Sequence, residues 1–164
     1  MKFICNNRVE FSAIAITETW LNETSAQLYQ LNGYTFYSAC RSNGKTGGGV
    51  GIYANKKYNV SSSVEYSIFN DNFESIFLRV SDKLYTNKTN TSYVTLGCIY
   101  RPPNKDPKLF LKDLKAVLAD FESRNRKDIC FLAGDYNLDI MDVDSDLIVN
   151  DFVNYVFILL FSYY

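Results

Sequence analysis

Apolar residues along this chain come in short runs separated by polar, turn-rich stretches. Ala13 to Thr17 (AIAIT) and Tyr34 to Ala39 (YTFYSA) read as the first two strands. Gly49 to Ala54 (GVGIYA), Ser75 to Val80 (SIFLRV) and Tyr93 to Tyr100 (YVTLGCIY) are three more, rich in the aromatic and β-branched side chains that suit a pleated surface. The polar stretch from Ser81 to Ser92 is expected to be a long hairpin connection. At Pro107 the period changes. Leu111, Leu114, Val117, Leu118 and Phe121 fall on one helical face, and Asp106 before Pro107 supplies cap and first-turn chemistry. Ile129 to Ala133 (ICFLA) reads as a buried strand closed by Gly134, and Ser145 to Val153 as the opening of another helix. Strands dominate, and a long helix feeds a buried strand. This pattern predicts an α/β fold with helices packed outside the sheets.

The length of 164 residues suits one domain with a real core, and the 47% apolar fraction places the chain among folded proteins. A formal net charge of −1 lacks the excess of a strongly basic nucleic-acid binder, so contact with a phosphate backbone must come from local clustering or metal ions. Cys5, Cys40, Cys98 and Cys130 form no C-x-x-C pair, and the chain has no histidine, which excludes a cysteine–histidine zinc site. With no secretory signal evident, an intracellular setting is the expectation, and the four N-x-S/T matches are then fortuitous. The apolar run from Phe152 to Phe161 is about half the ~20 residues of a membrane crossing. It is expected to be a core element or a foreign tail, and no membrane partner is expected. Ala39 to Thr46 (ACRSNGKT) falls one residue short of a phosphate loop, and a glycine turn and a strand follow in place of the required helix. No nucleotide cofactor is expected.

Polar groups that could do chemistry stand at the carboxyl ends of strands, where loops gather side chains at one rim. They are Glu18 after AIAIT, Tyr100 and Arg101 after YVTLGCI, and Asp135 with Asn137 after ICFLAG. A strand-end carboxylate suits Mg²⁺, and a second one can orient or deprotonate an attacking water. Asn137, two residues beyond Asp135, points the same way where the backbone stays extended. Taken alone, a Glu after a strand is usually solvated, a Tyr at a strand end usually packs, and G-D-x-N often makes a turn.

The four segments AIAITETWL, GGGVGIY, GCIYRPPN and FLAGDYNLDI, in that order between about Phe11 and Asp151, resemble the endonuclease/exonuclease/phosphatase superfamily. Within it they resemble the endonuclease domains of non-LTR, LINE-like retrotransposons. The resemblance implies a DNase I-like fold: a two-sheet β-sandwich flanked by helices, here incomplete. It also implies Mg²⁺ (or Mn²⁺) on Glu18, a scissile phosphate contacted by Tyr100, and a water positioned or activated by Asp135. Asn137 would help hold the transition state, and Arg101 would lie in reach of a phosphate. DNA would be the substrate, cut in the nucleus to leave a 3′-hydroxyl for the same element's reverse transcriptase.

The likeness has gaps. Only 17 residues precede Glu18, too few for the family's opening asparagine strand and the helix after it. The closing Asp-His pair is absent, and a general acid or base of that kind contributes roughly 10²–10⁴ in rate. The sequence therefore reads as a domain over residues 1–151 followed by a divergent apolar tail over 152–164, with impaired catalysis and marginal stability expected. The competing readings are a non-catalytic remnant of a decayed mobile element and, ranked below it, a phosphomonoesterase or lipid phosphatase.

Overall fold

The structure, a computed structural model, describes residues 10–40, 47–62, 66–82, 93–124 and 129–161. Its elements in chain order are β1 (Ala13–Thr17), α1 (Glu23–Ala26), β2 (Tyr34–Ala39), β3 (Val50–Asn55), β4 (Tyr58–Ser62), β5 (Glu74–Asp82), β6 (Val94–Tyr100), α2 (Pro107–Arg124), β7 (Ile129–Asp135), a 3₁₀ turn (Ile140–Asp142) and α3 (Leu147–Phe161). Strands β1, β3 and β2 form one antiparallel sheet in that order. The second sheet runs β4-β5-β6-β7, antiparallel except for the parallel pair β6–β7. That parallel joint needs a crossover of a dozen or more residues, which α2 supplies.

Two clusters share the second sheet because its side chains alternate between faces. Ile76, Leu78, Val80, Cys98 and Tyr100 face the first sheet and pack on Val50, Ile52 and Ala54. Phe73, Phe77 and Ile99 face the helices and pack on Phe110, Leu111, Leu114, Leu118, Phe121 and Phe152. The result is two stacked sheets with α2 and α3 outside the larger one, the architecture expected from the sequence. The cap of α2 is also as expected: the Lys108 N–H donates to Asp106 Oδ1 at 2.8 Å.

Some boundaries differ. The strand β4 escapes a hydrophobic pattern because YNVSS carries little apolar content, and its pairing with β5 defines it. Strand β5 begins at Glu74, ahead of its apolar run, and β7 continues through Gly134 to Asp135. Gly134 has φ +149°, and a Cβ there would lie 1.8 Å from the Ile99 carbonyl oxygen. Only glycine lets β7 press this closely on β6. Helix α3 passes Asp151 without a break. Phe152 is 5% exposed and packs on Tyr136, with ring centroids 4.9 Å apart. Most of the Ser81–Ser92 connection, positions 41–46 of the phosphate-loop-like segment, and Cys5 lie outside the described residues. No helix among the described residues is long and apolar enough to cross a membrane.

Candidate active site

The register of the larger sheet sets up the site. Glu74 at the start of β5 lies opposite Tyr100 at the end of β6, and Tyr100 lies opposite Asp135 at the end of β7. Directly opposed residues share a face, so the three side chains form a row along one rim, on the side of the first sheet. Glu18 enters from that other sheet, immediately after β1. The Tyr100 hydroxyl donates to Glu18 Oε1 at 2.7 Å. Glu18, Tyr100 and Asp135 are thereby brought to one place.

The loop carrying Glu18 has an unusual backbone. Among the described residues, the non-glycine positions with positive φ are Glu18 (51°), Trp20 (54°) and Asn137 (48°). All three sit in the two loops of this rim. Such conformations cost of order 1 kcal/mol or more each and persist only where their surroundings enforce them. For Glu18 and Trp20 the enforcement comes from Gly48 and Gly49, whose carbonyls accept from the Trp20 N–H (2.9 Å) and the Thr19 N–H (3.2 Å). Gly47, Gly48 and Gly49 all have φ between 73° and 95°, a run that side chains larger than glycine rarely follow.

Of the two courses open to the loop after β7, extended or turned, the chain takes the turn. At Asn137 the backbone is left-handed, and its N–H donates to Asp135 Oδ1 at 3.0 Å. A turn, rather than strand parity, brings these two residues together. The Asn137 amide donates from Nδ2 to the Arg101 carbonyl at 2.7 Å.

Arg101 answers from inside. It is 4% exposed, and its guanidinium donates to the carbonyls of Tyr136 (2.7 Å), Lys105 (2.5 Å), Pro102 (3.4 Å) and Asn137. The side chain expected at a phosphate is instead a clasp around the Asp135–Asn137 loop. The physical reason is burial: a guanidinium removed from water spends its donors on nearby acceptors, here the backbone carbonyls of the two loops.

The site is acidic around a phenol. Burial pushes the Tyr100 hydroxyl up to about 12, helped by its bond to Glu18 and by the charges of Glu18, Glu74 and Asp135. At neutral pH it is therefore a proton donor. Among the described residues no group of three or more His, Cys, Asp or Glu side chains is placed to hold a metal ion. Mg²⁺ does not require one; it takes one or two carboxylates and keeps several waters. The exposed carboxylate of Glu18 offers oxygen donors of the kind that ion prefers. A separate concavity of about 790 Å³, lined by Tyr29, Tyr34, Phe36 and Lys56 among others, contains none of these residues.

The family model described as the endonuclease/exonuclease/phosphatase family matches residues 8–155. The chain belongs to this family. No curated protein matches it. Members of the family are metal-dependent phosphoesterases that generally act on nucleic acids. Within this endonuclease/exonuclease/phosphatase chain, a reading of strand-end residues missed Glu74. The available signal was one acidic residue leading an apolar strand (FESIFL), buried to 2% exposure.

Proposed function

We propose that this chain is a Mg²⁺-dependent DNA-nicking domain of the kind found in LINE-like retrotransposons, acting in the nucleus beside the element's reverse transcriptase. The observation that carries the reading is the contact of Tyr100 with Glu18, with Asp135 in register beside the same tyrosine. Glu18 would hold Mg²⁺ or Mn²⁺, which supplies positive charge to a phosphate oxygen as negative charge builds there. Tyr100 keeps its proton at neutral pH and, once Glu18 turns its oxygens to the metal and the bond between them opens, would donate that one O–H to a phosphate oxygen. Asp135, its direction fixed by the Asn137 N–H, accepts the proton of the attacking water. The second amide N–H of Asn137 offers a further donor as the transition state forms. The wording of AIAITETWL and GCIYRPPN supports the retrotransposon branch.

The test is relaxation of supercoiled plasmid. The purified chain should convert it to nicked circles with Mg²⁺ or Mn²⁺, and EDTA or Glu18→Ala should abolish this. The rate should fall roughly 10²–10⁴ below that of a site with its histidine. A second reading, a non-catalytic remnant, is favoured by the complete absence of histidine. A folded chain that leaves plasmid supercoiled through prolonged incubation with Mn²⁺ would establish it.

A further inference from the structure

The buried Glu74 has no part in the chemistry above. Its neighbours on the same face of β5, Ile76, Leu78 and Val80, are apolar core residues. Burying a carboxylate is costly unless its oxygens are held by donors. One of those donors is the Gly49 N–H, at 2.5 Å from Glu74 Oε2. Gly49 belongs to the glycine turn that grips the Glu18 loop. Its carbonyl accepts from Thr19, and that of Gly48 accepts from Trp20. On its other side Glu18 is fixed by the pairing of Thr17 with Val50. The chain of contacts from Glu74 to Glu18 is thus continuous and crosses from one sheet to the other.

We propose that Glu74 is a positioning residue, a buried latch that holds the Gly48–Gly49 turn and thereby fixes the direction of the Glu18 carboxylate. The proposal deepens the nuclease reading and, for its bearing on metal, rests on it. The latch itself does not. The turn fits it closely: a Cβ on Gly49 would meet Thr19 Oγ1 at 2.3 Å, so the two loops are in contact with no spare room.

Trp20 makes the latch measurable. It is the single tryptophan, 68% exposed, and its N–H is one of the groups the turn holds. Time-resolved anisotropy of its fluorescence reports the mobility of the loop, and quenching by Mn²⁺ reports metal near Glu18. Glu74→Ala should keep the far-UV circular dichroism of the parent, increase the segmental motion of Trp20 and raise the Mn²⁺ midpoint tenfold or more. Glu74→Gln retains an acceptor oxygen and should restore the anisotropy and bring the midpoint within about threefold of the parent. A role in core stability alone would lower the melting temperature and leave both Trp20 signals unchanged. A folded Glu74→Ala with the parent's anisotropy and Mn²⁺ midpoint overturns the proposal. Amide hydrogen exchange on the unmodified chain tests it even where that variant fails to fold. The Gly49, Thr19 and Trp20 amides should be protected, and free exchange at Gly49 overturns the latch. A parent chain with no saturable Mn²⁺ quenching, in which Glu74→Ala still loosens Trp20, supports the latch and counts against the metal reading alone.

Discussion

Tyr100 and Glu18 stand 82 residues apart in the chain, yet the hydroxyl of one donates to a carboxylate oxygen of the other at 2.7 Å. Tyr100 ends a strand of the larger sheet and Glu18 follows a strand of the smaller, so this bond ties the two layers at the rim where the candidate chemistry gathers. Glu18 is exposed, which screens the interaction. A double-mutant cycle with Tyr100→Phe and Glu18→Gln should give a coupling of about 0.5–1.5 kcal/mol in urea unfolding, the range of an ordinary hydrogen bond. Additive single effects would mean that the bond does not persist in solution.

The same tyrosine predicts an alkaline limit. Its hydroxyl is raised to about 12 in the folded chain by burial and by Glu18, Glu74 and Asp135, against 10.0 when unperturbed. The neutral phenol is the form that the fold favours. Its contribution to stability is therefore fully present below pH 10 and is lost as pH rises toward about 12. Urea midpoints followed across that window should fall less steeply in Tyr100→Phe than in the parent. Equal slopes would contradict the shift.

Gly134→Ala should be severely destabilising, by about 3 kcal/mol or more, because a close backbone clash adds to an unfavourable φ. The methyl group would have to occupy space 1.8 Å from the Ile99 carbonyl oxygen. Thermal melts should show the loss. A variant melting within a few degrees of the parent would mean that β7 can move away from β6 at little cost.

Thr19→Val is expected to act in the opposite direction. The Thr19 hydroxyl oxygen is buried and has no hydrogen-bond partner among the described residues. Replacing it with a methyl of similar size removes an unsatisfied polar group and should stabilise the chain by about 1 kcal/mol. Destabilisation of that size in urea unfolding would show that the hydroxyl has a partner in solution.

Cys98 is fully buried, and burial raises its thiol to about 11. At pH 8 it should resist a thiol-specific disulfide reagent in the folded chain and react once urea unfolds it. Rapid native labelling of Cys98, located by peptide mapping, would show that the space between the sheets opens readily.

The sequence alone placed β1 and β2 with their observed ends, found α2 with its Asp106 cap, and marked Glu18, Tyr100, Asp135 and Asn137 as rim residues. These features are local. Alternating or helical apolar spacing reports which face is buried, and Asp-Pro before such a run reports where a helix begins. β4 was not legible, because a mostly polar strand owes its existence to the neighbour that pairs with it. Nor was the extent of β5, whose first residue, Glu74, lies in the sheet only because Tyr100 lies opposite.

What the tertiary structure alone decided is how the rim residues meet. The antiparallel and parallel registers put Glu74, Tyr100 and Asp135 in one row, and the stacking of two sheets delivers Glu18 to Tyr100. The interior decided against an outward-facing Arg101, since the carbonyls of the surrounding loops claim its donors. Composition and spacing carry information about each residue's own segment. A hydrogen bond between segments depends on where both backbones finally lie, which the packing of the whole chain determines.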